Sequence, residues 1–139
     1  MLIKVLESDE INLVLAYYRK TGYSKQVNSE DIVLAALESN QIIGAVRLCP
    51  QDDYLVLRGM QVIKEYQRQK IGTALLYKCA DVIQNTTCYC LPYKHLVTFY
   101  QQAQFYEIDS RYAPTHLQER LNNYSSLGLN LTIMCRKAS

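Results

Sequence analysis

The sequence predicts an α/β (α+β) fold, a mixed sheet with helices packed against it. Three observations predict it. Strands early in the chain are separated by short turns, which makes hairpins; those late in the chain alternate with helical patterns, which makes crossovers. Hydrophobic residues make up 49% of the chain and charged residues 20%, the balance of a folded globular protein. A chain of 139 residues, read as one domain over 1–139, is long enough to bury a core without staples.

The first strand is "LIKVLE" (2–7), where apolar and polar residues alternate. "SDEINLVLAYYRKTG" follows as a helix. Ser8 or Asp9 can cap it, Ile11, Val14, Leu15 and Tyr18 form one face, and Gly22 follows its end. Residues 23–30 are polar and read as a loop or a short second helix. "DIVLAALES" and "QIIGAVRLCP" form a hairpin about the turn "SNQ", with Pro50 closing the second strand. After the turn "QDD", "YLVLRGMQVI" makes a long strand, Tyr54 to Ile63. "IGTALLYKCADVIQN" is a helix: Ile71, Ala74, Leu75, Cys79, Val82 and Ile83 are its apolar face, and Thr73, Tyr77, Asp81 and Gln84 its polar stripe. "TCYCL" is a short strand, "HLVTFYQQA" a short helix and "FYEID" another strand. "APTHLQERLNNY" carries a short helix behind Pro114, and "LGLNLTIMCR" is the last strand.

The bulk numbers exclude several classes. A net charge of +2 is too small to make nucleic acid or a membrane surface the expected partner. Five cysteines, odd in number and scattered, argue against a disulfide framework. Cys88 and Cys90 share a face of one strand, but no CxxC or His pair supplies further zinc ligands, so no metal is expected. The apolar run at the start is too short for a signal peptide, and no run of about 18 apolar residues marks a membrane span. A reduced, cytoplasmic protein is the expectation. Twelve tyrosines stand beside no tryptophan. Most are expected at half-buried positions, and a few in a pocket that needs hydroxyls.

The stretch "VIKEYQRQKIGTALL" (62–76) joins a strand to a helix through a basic turn. Such a junction aims free helical N–H groups and the positive end of the helix dipole at one spot, which suits an anion. Gly72 lets a bulky anion approach the backbone, and Lys64, Arg68 and Lys70 add positive charge. No Ser, Thr, Asp or Asn stands where it would cap the first turn. Physics alone leaves two readings level: a phosphate site, or a solvated basic turn.

"YQRQKIGTALL", after a strand ending "MQV", resembles the acyl-coenzyme-A signature of the GNAT superfamily of N-acetyltransferases. The family pattern is Gln or Arg, two residues, Gly, one residue, Gly or Ala; here it falls on Gln67 to Gly72. Lys70 stands where the first glycine is usual. "HLVTFYQQAQF" resembles the family's second segment, with Gln104 in place of a glycine. The element order from Leu2 to Arg136 is also similar. The resemblance implies a mostly antiparallel central sheet of about six to seven strands flanked by about four helices. It implies acetyl-CoA as cosubstrate and an amine of a small molecule or peptide as acceptor, and it leaves a homodimer open. Gln67, Arg68, Gln69, Lys70, Ile71, Gly72 and Thr73 would cradle the pyrophosphate. Met60, Gln61 and Val62 would present backbone groups to the acetyl carbonyl and pantetheine arm, as an added strand does. Tyr93 would contact the cofactor.

The resemblance also places a catalytic tyrosine at Tyr100, as general acid to the leaving thiolate. Tyrosine suits the task because its hydroxyl donates while neutral. Phe99 beside it reads as core. Cys88 and Cys90 read as small wall-filling residues rather than nucleophiles. Positions where many members carry a base hold Arg58 and Val56, which leaves the base open, with a water chain as the route if none exists. Arg58, inside an apolar strand, needs a partner: a structural ion pair, or an anionic group of the substrate. Arg111, His116 and Arg120 would make the segment that covers the substrate basic, which again favours an anionic acceptor. His95 reads as a surface or cap residue, and Glu107 and Asp109 face either acceptor or solvent. Two further readings stay open: an acyl-CoA-sensing domain without turnover, and an unrelated polyanion binder.

Overall fold

The computed structural model describes residues 1–23 and 26–138. In chain order the elements are β1 (Leu2–Val5), α1 (Ile11–Thr21), β2 (Ile32–Glu38), β3 (Gln41–Gln51), β4 (Tyr54–Val62), α2 (Ile71–Ile83), β5 (Cys88–Cys90), α3 (Val97–Gln101), β6 (Tyr106–Glu107), α4 (Thr115–Ser126) and β7 (Met134–Arg136). The strands form one sheet in the order β1-β2-β3-β4-β5-β7-β6. β4 and β5 run parallel, and the other neighbours are antiparallel. This is the mixed sheet that the element order predicts, with the mostly antiparallel pairing and four helices that the resemblance implies.

Both faces of the sheet are covered, so its central strands are apolar on both sides. In β2, Leu34 and Ala36 join the core beneath α2, while Val33 and Ala35 pack against Val14, Tyr17 and Tyr18 of α1. In β4, Leu55 and Leu57 face the α2 core, whereas Tyr54 and Val56 meet Leu117 of α4. The β2–β3 hairpin turns through Ser39 and Asn40, both left-handed (φ 50° and 65°), the geometry that two-residue hairpin loops require. Gly22 ends α1 at φ 80° and returns its N–H to the carbonyls of Tyr18 and Arg19.

Several boundaries differ from the sequence pattern, each for a physical reason. Residues 8–10 form a 3₁₀ turn before α1, and the Glu10 carboxylate accepts the Glu7 N–H (2.9 Å), so neither Ser8 nor Asp9 caps the helix. Tyr17, outside the predicted face, is buried with Val14 and Tyr18. Pro50 does not end β3, because Gln51 still pairs with Tyr54. Residues 26–30 are loop and turn rather than a second helix; the rest of that alternative, at 24–25, lies outside the described residues. The last strand is short: Gly128 is left-handed (φ 80°), and 127–130 run outside the ladder until Leu131 bridges to Tyr93.

The feature that shapes the site is a bulge in β4. Ala45 pairs with Gln61 and Arg47 with Arg58, so Gly59 and Met60 together stand opposite Val46. Gly59 adopts φ 68°, and a Cβ there would lie 2.8 Å from the Tyr18 hydroxyl oxygen. Replacing Gly59 by alanine therefore combines left-handed strain with a clash. Thermal or urea unfolding of Gly59→Ala should show a loss of about 2 kcal/mol; an unchanged midpoint would mean that the bulge is not held this way.

Candidate active site

The site begins where β4 and β5 part. They pair from Leu55–Cys88 to Leu57–Cys90. Beyond that, β4 continues to Val62 with partners only on β3, while the other chain turns off through Pro92, which has no N–H to give. The edge of β4 past the bulge is therefore open. The bulge also slips the side-chain alternation: Leu55 and Leu57, then Met60 and Val62, pack on the α2 core. Two adjacent tyrosines of α1 hold this backbone. Tyr18 donates to the Gly59 carbonyl (2.8 Å) and Tyr17 to that of Gln61 (2.7 Å). Burial pushes both phenols well above their ordinary pKa, so they stay donors.

One cavity, of about 560 Å³, lies on the α2 side of the opening. Met60, Val62, Gln67, Arg68, Lys70, Ile71, Gly72 and Thr73 line it, together with Tyr66, Leu96, Phe99 and Tyr100. α2 begins here with no side-chain cap, and its first regular bond runs from the Ala74 N–H to the Lys70 carbonyl (3.0 Å). The N–H groups ahead of it belong to the uncapped first turn. Arg68 and Lys70 are both left-handed (φ 65° and 63°), so the turn adopts glycine-like geometry with basic side chains. Gly72 does not need glycine's dihedral freedom: an added Cβ would sit 3.5 Å from Phe99, an ordinary contact. Phe99, read as core, forms the cavity wall. The Gln67 amide donates to the Val62 carbonyl (2.9 Å), covering one acceptor of the open strand. Gln69 bonds the Glu65 carbonyl (3.3 Å) and is not among the lining residues. An uncapped helix start, two cations and an open strand edge fit a phosphate group followed by an extended arm.

A second cavity, of about 420 Å³, opens on the other side. It is walled by the bulge, by Cys90 to Tyr93, and by Arg120, Tyr124, Leu129 and Leu131. The two cavities share Met60, Leu96 and Tyr100. Arg58 lines this second cavity; its Nη2 is buried with no hydrogen-bond partner among the described residues. Gln61 and Tyr93 also lie on this side, not on the α2 side. Arg111 is elsewhere: its side chain is 72% exposed and pairs with Asp109 (3.4 Å). From the same segment it is Arg120 that reaches the cavity. His116 stacks on Tyr54, and His95 on Tyr93 at the surface. Glu107 accepts the Thr132 hydroxyl (3.0 Å). No carboxylate and no histidine is among the described lining residues of this cavity.

Tyr100, on α3, is 6% exposed and packs edge-on against Phe99 and Phe105. Burial, followed by the neighbouring Cys90 and Cys79 thiols, drives its pKa well above the usual phenol value. Cys88 and Cys90 are buried free thiols whose pKa burial also raises, the opposite of what a nucleophilic cysteine needs. Among the described residues no group of three or more His, Cys, Asp or Glu could hold a metal, and no helix is long and apolar enough to cross a membrane.

Comparison with known proteins agrees with this geometry. A family model for the acetyltransferase (GNAT) domain matches residues 29–107, more than half of the chain. Comparison with curated protein sequences finds no match. Among solved structures the chain is similar to Escherichia coli ElaA (TM-score 0.71, 12% identity, covering 99% of this chain and 100% of that one). It is also similar to the ribosomal-protein-S18-alanine N-acetyltransferase of Escherichia coli (TM-score 0.68, 18% identity, 99% and 95%). A third is N-acetylglutamate synthase from Neisseria gonorrhoeae, complexed with coenzyme A and N-acetyl-glutamate (TM-score 0.67, 15% identity). This chain is covered fully there but spans only 36% of that one. Fold and site thus define an acyl-CoA-dependent acyltransferase. The chain belongs to the GNAT acetyltransferase family, whose N-acetyltransferases take the acetyl group from acetyl-CoA.

One element of the site has no counterpart in the sequence reading. Arg47, in β3, is completely buried. It donates to Asp31 (2.7 Å), to the Gln26 carbonyl (2.8 Å) and to the Tyr23 hydroxyl (2.6 Å). Tyr23 lines the second cavity and packs against Tyr18 at 4.6 Å between ring centroids. The arginine thus ties the loop before β2 to the bulge. The argument applied to Arg58, a cation inside an apolar strand, would have found it. Asp31 is only 3% exposed, so Asp31→Ala strands a buried cation. It should destabilise the protein by about 3 kcal/mol in chemical denaturation, and a paired Asp31→Leu, Arg47→Met variant should recover most of that. A double variant no better than the single one would contradict this account.

Proposed function

We propose that the chain transfers an acetyl group to a primary amine at the junction of the two cavities. The observation that carries the proposal is the sharing of Met60, Leu96 and Tyr100 by a phosphate-type cavity and a second, cation-bearing one. Acetyl-CoA supplies the thioester. The first-turn N–H groups of α2, with Arg68 and Lys70, hold its pyrophosphate. The open β4 edge at Met60 to Val62 pairs with the arm, and the Gln67 amide yields the Val62 carbonyl. The backbone N–H of Met60, a residue that lines both cavities, stabilises negative charge developing on the acyl oxygen in this reading. The acceptor amine, from a small molecule or a peptide, approaches from the Arg58 side, where Gln61 and Tyr93 lie.

Tyr100 acts on the leaving sulfur. A phenol raised above 10 is a weaker acid than a thiol of about 8.5, so donating a hydrogen bond is favoured over surrendering the proton outright. The same shift keeps Tyr100 protonated throughout the neutral and mildly alkaline range. With no carboxylate or histidine among the described lining residues, water carries away the amine's proton.

Saturating acetyl-CoA should raise the melting temperature; no shift would remove the cofactor assignment. Lys70→Gly should raise the melting temperature of the free protein by relieving left-handed strain, yet weaken acetyl-CoA about fivefold if the ammonium meets a phosphate. Unchanged affinity would reduce Lys70 to a turn residue. Tyr100→Phe should lower kcat about a hundredfold with the acetyl-CoA-induced shift retained. In the parent enzyme, no fall in kcat attributable to Tyr100 should occur below about pH 10. Unchanged turnover in Tyr100→Phe would exclude the role.

A further inference from the structure

We infer that the acceptor is a small amine that itself carries a carboxylate, a free amino acid in chemical class, and that Arg58 is the group that receives the carboxylate. The inference rests on the assignment of the second cavity as the acceptor side. Three observations carry it. First, Arg58 is a cation on a strand that is otherwise apolar from Tyr54 to Leu57, and its buried Nη2 has no partner among the described residues. A buried guanidinium donor left unpaired is costly, and a carboxylate is the group its planar fork fits two bonds at a time. Second, the contrast with Arg47 is internal to the same sheet. Arg47 and Arg58 pair across β3 and β4, yet Arg47 meets a carboxylate, a hydroxyl and a carbonyl of its own chain. Arg47 also keeps one buried nitrogen, Nε, without a partner among the described residues, but Arg47 lines neither cavity, whereas Arg58 lines the second. Third, the cavity holds a second guanidinium, Arg120, and four tyrosines, Tyr23, Tyr93, Tyr100 and Tyr124, with no acid among its described lining residues.

The charge pattern sets specificity by repulsion as well as attraction. A polyamine or an aminoglycoside would bring several positive charges against two guanidinium groups, with no carboxylate in the described lining to neutralise them. A zwitterion brings its own counter-charge. With its carboxylate on Arg58, the amine is left in a partly desolvated place with Arg120 nearby, and both influences lower an ammonium's pKa. That favours the neutral amine that acetyl transfer needs, without a protein base. The transfer balances simply. The amine nitrogen bonds to the acyl carbon, the carbon–sulfur bond breaks, coenzyme A leaves as the thiolate under the Tyr100 hydrogen bond, and the one proton the nitrogen loses passes to water, which returns a proton to the thiolate.

The test pairs probes that differ only at the carboxylate: L-phenylalanine against L-phenylalaninamide and phenethylamine, and L-leucine against L-leucinamide. Spermidine and O-phosphoethanolamine complete the panel. Thiol release from acetyl-CoA gives turnover, and calorimetric titration of each probe into the coenzyme-A-saturated protein gives binding without chemistry. An amino acid should exceed its amide in kcat/KM and in affinity by at least about tenfold, the scale of one lost charge-assisted pair. Arg58→Gln should abolish that preference by raising KM for the acid at least about tenfold more than for the amide, and Arg58→Lys should restore it in part. Amides or spermidine used as well as the acids overturn the inference while leaving the acetyltransferase reading intact. A preference for O-phosphoethanolamine overturns the carboxylate assignment. Absence of acetyl-CoA binding would instead strike the underlying reading. If no probe is turned over, titration still decides, and equal binding of acid and amide overturns the inference.

Discussion

The site depends on one constraint: β4 must remain a strand after its second neighbour has left it. A strand with one open edge carries unpaired N–H and C=O groups, which a buried position does not tolerate unless something else bonds them. Here the bulge at Gly59 turns the strand at that point, and the hydroxyls of Tyr18 and Tyr17 fix the carbonyls of Gly59 and Gln61, respectively. The open edge then faces two cavities rather than solvent alone. The uncapped start of α2, across the α2-side cavity from Met60 and Val62, is the second set of unpaired donors. Both sets belong to the backbone, so their positions follow from the fold rather than from long, mobile side chains.

Electrostatics divides the two cavities by partner rather than by sign. Both carry cations: Arg68 and Lys70 on the α2 side, Arg58 and Arg120 on the other. On the α2 side the cations stand at a helix start, where backbone N–H groups and the dipole already favour a phosphate. On the other side the cations line the cavity from β4 and α4, and one nitrogen of Arg58 has no hydrogen-bond partner among the described residues. Arg47 shows what the same residue does when the chain supplies the partner: it becomes structural, and orders the loop that brings Tyr23 to the cavity wall.

Much of this was legible in the sequence because it is local. The alternation of "LIKVLE", the hairpin about Ser39 and Asn40, and the periodicity from Ile71 to Ile83 each follow from rules spanning a few residues. So does the junction at Gln67 to Thr73. The two departures from the family pattern also proved conformational: Lys70 and Gln104 are left-handed (φ 63° and 71°), as glycine would be, so the backbone demand persists although the residue differs. What was not legible is non-local. Nothing near Tyr17 announces that its hydroxyl will meet a carbonyl 44 residues away. The bulge exists only in the register of β4 against β3. Arg111 and Arg120 look alike in sequence, but the turn of α4 sends only Arg120 to the cavity, and Arg111 stays with Asp109. Leu129 and Leu131 read as strand because apolar residues alternate there, yet they close a cavity wall.

The central claim is that the open edge of β4 and the start of α2 form one coenzyme A site. Amide hydrogen exchange with and without coenzyme A tests it most directly. The account predicts slowed exchange in two separated segments at once, at Met60 to Val62 and at Ile71 to Thr73, with little change in β1 and β2. Protection confined to the α2 start would leave β4 outside the site, and protection in neither segment would contradict the account altogether.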